Sequence, residues 1–264
     1  MASSSFAKSF GSFVPSPLWG NGPGPGQFYS FPGNSTLNQN TGSQRTLAPA
    51  VTTTSVLGIK FKDGVVLAAD MLGSYGSLAR FRNCSRLLNI NQQTVLGSSG
   101  DFADFQFLTS IVEQRVIEEE CLDDGFKYTP SGLHSWLTRV LYNRRSQFNP
   151  LWNTYIVGGM EADKPFLGYV NMIGIAYEAD TVASGFGSYL ALPMLRDALE
   201  KNKNLDEKQA VDVIQRCMKL LFYRDARSFD KYEIAIVTKK GAEIQGPLTV
   251  EANWDIAHAV SGYE

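Results

Sequence analysis

The sequence predicts an α+β domain in which two antiparallel sheets pack together and layers of helices flank them. Three observations carry this expectation. Strand-like and helix-like segments follow one another in blocks, as strands, two helices, strands, two helices and strands, which favours packed layers. Tight-turn signals such as Asp63-Gly64 and Lys240-Gly241 separate the strands of a block. The chain has 264 residues, 44% of them hydrophobic and 19% charged, enough for one sizeable core plus tails.

Residues 1–45 are rich in Ser, Gly, Pro and Asn, with Gly20-Asn21-Gly22-Pro23-Gly24-Pro25-Gly26 as the extreme. Such a stretch buries too little apolar surface to offset its ordering entropy, so a flexible leader is expected there. Trp19, Phe28, Tyr29 and Phe31 are its apolar exceptions. Strands are then expected over residues 54–61 and 64–70, around the Asp63-Gly64 turn, and over 86–91 and 94–99. Phe105, Leu108, Val112 and Val116 recur at helical spacing. Leu133, Trp136, Leu137, Val140 and Leu141 do the same behind Thr129 as a cap and Pro130 in the first turn. A second block of strands is expected over 154–160, 166–172 and 175–178, then helices over 188–202 and 207–224. Asp206 caps the latter, with Ala210, Val213, Ile214, Cys217 and Leu221 inward. Strands over 232–238 and 242–245 complete the domain.

Composition excludes several functions. A net charge of −2 gives no electrostatic footprint for nucleic acid. Cys84, Cys121 and Cys217 lie far apart, and only His134 and His258 accompany them, so no zinc spacing exists and buried free thiols are expected. The longest apolar runs fall well short of a membrane span. The N-terminus lacks the apolar core of a secretion signal, and Arg45 is the single arginine of its acid-free, serine-rich stretch, too few for a transit peptide. Gly185-Phe186-Gly187 has Leu190 where a dinucleotide fingerprint needs its third glycine. Glu118-Glu119-Glu120 with Asp123-Asp124 lacks the spacing of an oxygen-ligand loop and reads as a solvated face. Arg139, Arg144 and Arg145 complement a helix end. Neither metal nor cofactor is expected.

Four motifs are specific enough to place the chain. Thr54-Ser55-Val56-Leu57-Gly58-Ile59-Lys60-Phe61, Gly64-Val65-Val66-Leu67-Ala68-Ala69-Asp70, Ser98-Ser99-Gly100-Asp101-Phe102-Ala103-Asp104 and Tyr223-Arg224-Asp225-Ala226-Arg227-Ser228 resemble proteasome β subunits, over about residues 51–246. Residues 71–81, 149–154 and 253–258 are similar to a branch of that family regarded as non-catalytic. The resemblance implies the four-layer αββα sandwich of the N-terminal nucleophile hydrolases. It further implies a 28-subunit barrel of four rings, α and β subunits as partners, and residence in cytoplasm and nucleus.

The family's chemistry uses a threonine hydroxyl as nucleophile and that residue's own α-amine as base, freed by cleavage of a Gly-Thr bond. A free amine titrates near neutrality and a peptide nitrogen does not. By resemblance Thr54 is the nucleophile position, yet Thr53 stands where glycine is needed, and a β-branched residue resists the geometry of self-cleavage. Arg86 stands where active members carry lysine, and a guanidinium is larger and effectively always protonated. Phe186 stands where they place a small serine beside the nucleophile. Asp70, Asp225 and Ser228 match supporting positions, and Gly100 matches the glycine whose N–H stabilises an oxyanion. The first three equally fit local satisfaction of backbone donors. All three departures fall on proton transfer, so a non-catalytic structural subunit is expected. The alternative is an active threonine endopeptidase using Thr54.

The resulting division is a leader over 1–45, removed by a cut near Gln44, Arg45 and Thr46, a domain over 46–246, and an extension over 247–264. Leu248, Trp254, Ile256 and Val260 of the extension have no evident place in the domain's core. A disordered terminus is one reading. Docking on neighbouring subunits, by resemblance in the opposite β ring, is the preferred one.

Overall fold

The computed structural model describes residues 48–255. Thirteen strands and five helices follow in order among them. The first strands are β1 (Val51–Thr53), β2 (Val56–Phe61), β3 (Gly64–Asp70), β4 (Gly73–Tyr75), β5 (Leu78–Phe81), β6 (Leu87–Asn91) and β7 (Thr94–Asp101). Helices α1 (Phe102–Leu122) and α2 (Pro130–Ser146) come next, then β8 (Asn153–Glu161), β9 (Lys164–Val170), β10 (Ala176–Glu178) and β11 (Thr181–Ala183). Helices α3 (Gly187–Leu190), α4 (Leu192–Lys201) and α5 (Glu207–Arg224) precede β12 (Lys231–Thr238) and β13 (Gly241–Thr249).

The strands form two antiparallel sheets. One has the order β10-β9-β8-β7-β1-β4-β5, with β6 also on β7, and the other β11-β2-β3-β12-β13. The pleat of β3 shows how the layers are made. Val65, Leu67 and Ala69 point between the sheets to meet Val95, Ile156, Leu167 and Val237. Val66 and Ala68 point the other way, toward Leu195 of α4 and Ile214, Cys217 and Leu221 of α5. Helix α2 covers the other sheet through β8 and β9. The four-layer αββα sandwich follows, because each sheet has one face for its partner sheet and one for helices.

Caps fall where the sequence places them. The Thr129 hydroxyl accepts from the Gly132 N–H at 3.1 Å, and Asp206 forms a capping box with Gln209. Other boundaries differ. The helix expected over 188–202 is two helices, broken at Ala191 before Pro193. Thr54 does not head a strand: it and Ser55 link β1 in one sheet to β2 in the other. The short strands β1, β4, β5 and β11 carry too few residues for a period to be read.

The boundary expected after residue 246 does not exist as a break in structure. Strand β13 runs on to Thr249, pairing Leu248 with Tyr232 and Thr249 with Lys231. Leu248 packs against the helix-side core, Val250 is buried in it, and the Val250 N–H donates to the Asp230 carbonyl at 2.8 Å. Leu248, half-buried, therefore has a place against its own domain's core that its sequence position does not reveal. Trp254 meets Tyr223 and Phe222 edge-on, with centroids 5.0 and 5.9 Å away, while remaining 52% exposed. Gln44, Arg45, Thr46 and Ile256 lie outside the described residues.

The cysteines are free but unequally placed, and Cys121 is exposed rather than buried. Burial pushes the Cys217 thiol up to about 12. Near pH 8 a maleimide should therefore label Cys121 first and Cys217 only on unfolding. Labelling of native Cys217 as fast as Cys121 would contradict this packing.

Candidate functional site

Thr54 and the groups bonded around it arrive from four segments. Thr54 sits in the crossing between the sheets, Asp70 ends β3, Arg86 directly precedes β6, and Ser98 lies on β7. The Thr54 Oγ1 hydroxyl donates to Asp70 Oδ2 at 2.7 Å, and that oxygen also accepts the Phe229 N–H at 3.2 Å. Asp70 Oδ1 is bound by Arg86 Nη2 in a short ion pair. Both side chains are about 1% exposed.

Arg86 uses every donor it has. Nε donates to the Asp70 carbonyl at 2.8 Å, and Nη1 to the carbonyls of Thr54 at 2.9 Å and Ser98 at 3.1 Å. Nη2 donates to the Ser55 carbonyl at 3.0 Å and to the Asp70 carboxylate. A guanidinium has five N–H donors in a planar fork, and five acceptors meet them here. A lysine ammonium has three, so it leaves acceptors unmet in this site. Burial pushes the Asp70 carboxyl above its ordinary value, while the Arg86 charge and the hydrogen bonds from Thr54, Arg86 and Phe229 pull it down.

Two serines absent from the sequence expectation complete the crossing. Ser55 Oγ accepts the Gly187 N–H at 2.8 Å, and Ser184 Oγ accepts the Val56 N–H at 2.8 Å. These partners lie 132 and 128 residues apart, so no local spacing signals them. Asp101 is a third such residue. One oxygen accepts the Asp104 N–H to cap α1 and the other the Ala50 N–H, each at 3.0 Å.

Other expected site residues stand at the margin. Phe186 is 60% exposed and outside the hydrogen-bonded cluster, because Gly185 at φ +57° turns the chain there and Phe186 caps the short helix α3. Asp225 closes its own turn, its Oδ1 accepting the Arg227 N–H at 2.9 Å and its carbonyl the Ser228 N–H at 3.0 Å. That turn reaches the centre through the Phe229 N–H. Gly100 pairs in register with Thr53, whose hydroxyl donates to the Gly100 carbonyl at 3.0 Å. The chain's own strand β1 thus fills the edge beside Gly100, with β4 on its other side. An extended peptide has no free strand edge to pair with at that point.

Chemically, the centre is closed by hydrogen bonds and one ion pair. In the uncut chain the Thr54 nitrogen is a peptide nitrogen, its hydroxyl donates a hydrogen bond to the Asp70 carboxylate, and the adjacent Arg86 cation is fully engaged with acceptors. Among the described residues no group of three or more His, Cys, Asp or Glu could hold a metal ion, and Glu118 pairs with Arg115 at 2.9 Å. Nor is any described helix long and apolar enough to cross a membrane.

Comparisons with known proteins agree with this geometry. Residues 50–237 match the family model described as proteasome subunit. The chain is 54% identical to proteasome subunit beta type-4 of Xenopus laevis, over 92% of this chain and 98% of that protein. It is 41% identical to the protein of the same description from Drosophila melanogaster, over 94% and 96%. It is also 39% identical to proteasome subunit beta type-7 of Saccharomyces cerevisiae, over 83% and 86%. With a matched model over most of its length, two sheets in the expected layers and a threonine centre at the crossing between them, the chain belongs to the proteasome subunit family.

Proposed function

We propose that this chain is a non-catalytic, structural β subunit of the 20S proteasome core particle. It assembles with other proteasome subunits, and its part in ATP- and ubiquitin-dependent protein breakdown is architectural. The single observation that carries this reading is Arg86, whose five donors are spent on Asp70 and three further carbonyls of the site. A base or proton shuttle needs a group that can gain and lose a proton near neutrality, and a fully bonded guanidinium cannot. The competing reading, an active threonine endopeptidase, requires a free amine at Thr54 and departure of β1 from the sheet.

The finer assignments belong to the same proposal. Residues 1–45 are a leader removed by a neighbouring subunit, with the cut near Gln44 and Arg45. The tail beyond Val250 reaches other subunits, including one of the opposite β ring, in a particle of cytoplasm and nucleus. The half-exposed Trp254 is the described residue that supports the tail contact.

The intact mass of the chain from assembled particles, with and without a peptide epoxyketone, tests this reading. The expected chain starts near Thr46 and carries no adduct. A chain starting at Thr54 and carrying the adduct would replace the structural reading with the enzymatic one.

A further inference from the structure

The order of the first sheet places β1 in an unusual position. In the hydrogen-bonded path, β1 stands between β7 and the β4–β5 hairpin, and no described strand pairing joins that hairpin to the rest of the sheet except through β1. Val51 and Thr52 pair with Tyr75 and Ser74 on one side, and Thr52 and Thr53 pair with Asp101 and Gly100 on the other. The hairpin presents Tyr75, Leu78 and Phe81 at 61%, 58% and 45% exposure. The three residues before Thr54 are therefore the splice between a buried sheet and an exposed apolar edge.

We propose that the relict nucleophile centre is a latch that keeps β1 in the sheet, and that β1 in turn holds the hairpin of residues 73–81 in place. This inference deepens the structural reading above and rests on it. The latch works from both ends of β1. Upstream, the Ala50 N–H is fixed by Asp101. Downstream, the carbonyls of Thr54 and Ser55 are fixed by Arg86, the Thr54 hydroxyl by Asp70, and the Ser55 hydroxyl by Gly187. Between them, Thr53 donates its hydroxyl to β7.

Side-chain packing joins the strand to the hairpin. Val51 Cγ1, Cys84 Sγ and Phe81 Cβ crowd one face of Gly73, lying 3.0, 3.4 and 3.4 Å from where a Cβ there would stand. Among the described residues the hairpin turn is also tethered by Arg227, which donates to the Gly76 carbonyl. A cut before Thr54, the step that would free a catalytic amine, severs β1 from the chain and, once the severed segment departs, leaves the strand edges of β7 and β4 unpaired. Such edges are exposed to unwanted pairing. Residues 51–53 must then stay attached, so leader removal stops upstream of Val51 and an amine at Thr54 is incompatible with a continuous sheet.

Hydrogen exchange on the full chain tests the latch without any active-site probe, so its outcome is separable from that of the mass measurement. Thr52→Pro removes one donor from a strand paired on both sides. Amides of residues 73–81 should exchange about tenfold or more faster in this variant, while β2, β3 and β12 keep their protection. Val51→Ser is the milder companion, since it removes packing at Gly73 and leaves the backbone intact. It should speed alkylation of Cys84 relative to Cys121. Hairpin exchange at the unaltered rate in Thr52→Pro overturns the proposal. Should that variant not fold, an unchanged Cys84 rate in Val51→Ser does so. Loss of protection from both sheets together also overturns it, because β1 would then support the whole domain rather than the hairpin.

Discussion

Arg86→Lys should lower the stability of the full chain by about 2–4 kcal/mol, although charge is conserved. Lysine can replace the ion pair with Asp70 but not the fork that reaches Thr54, Ser55 and Ser98. Buried acceptors left unmet cost roughly 1–3 kcal/mol each, offset in part by whichever the ammonium still reaches. Arg86→Met should cost more, about 3–5 kcal/mol, because Asp70 would then be a buried carboxylate without its cation. For a domain of this size the lysine variant corresponds to a melting temperature lower by roughly 4–16 °C. Denaturant midpoints of the two variants and the unaltered chain give the comparison. A lysine variant as stable as the unaltered chain would mean that the fork is dispensable. It would also remove the main physical reason for assigning Arg86 to structure.

Gly100→Ala should be the most damaging single-methyl change in the centre, at about 3 kcal/mol or more. The added Cβ would stand 2.1 Å from the Trp152 carbonyl oxygen, with Gly100 at φ +106°. That carbonyl cannot retreat freely, since it accepts the Asp101 N–H at 2.8 Å, and Asp101 caps α1 and anchors Ala50. Gly76→Ala is the matched control. It also has a positive φ, +59°, but no atom lies within 4 Å of its built Cβ. Its cost should be the conformational part alone, about 1 kcal/mol. Equal losses in the two variants would show that backbone conformation, and not the approach of Trp152, requires glycine at position 100. In either case the position is explained without an oxyanion.

These two residues show how a site can persist in outline after its chemistry is gone. The family resemblance assigns Arg86 and Gly100 to proton transfer and to oxyanion stabilisation. Each has a packing task of its own in the described structure, one as a five-point tie among three segments and the other as the place where β7 passes under Trp152. Mutational effects at such positions should appear in stability and assembly rather than in turnover.

Much of the fold was legible because its signals are local. Val65, Val66, Leu67, Ala68 and Ala69 announce a strand buried on both faces, and Thr129-Pro130 and Asp206 announce helix starts through their own side chains. The elements missed were short. β1 has three residues and takes its structure from the neighbours on either side, so no period within Val51-Thr52-Thr53 could reveal it. Leu248 read as a stray apolar residue because the sequence gives no hint that β13 passes through Pro247 and pairs back on Tyr232.

For the site, the sequence by itself determined which chemistry was missing. Thr53, Arg86 and Phe186 are departures visible as residue types against the family's needs. Only the tertiary structure decided what replaced that chemistry. Ser55, Ser98 and Ser184 join the centre through contacts that span 31, 12 and 128 residues, and Phe186 turns away from it. The physical reason is that hydrogen bonding to backbone carbonyls depends on where the chain passes and not on which residue it passes with. The residue type at position 86 could be read from the sequence, but the five acceptors that give the arginine its role are brought together only when the two sheets pack.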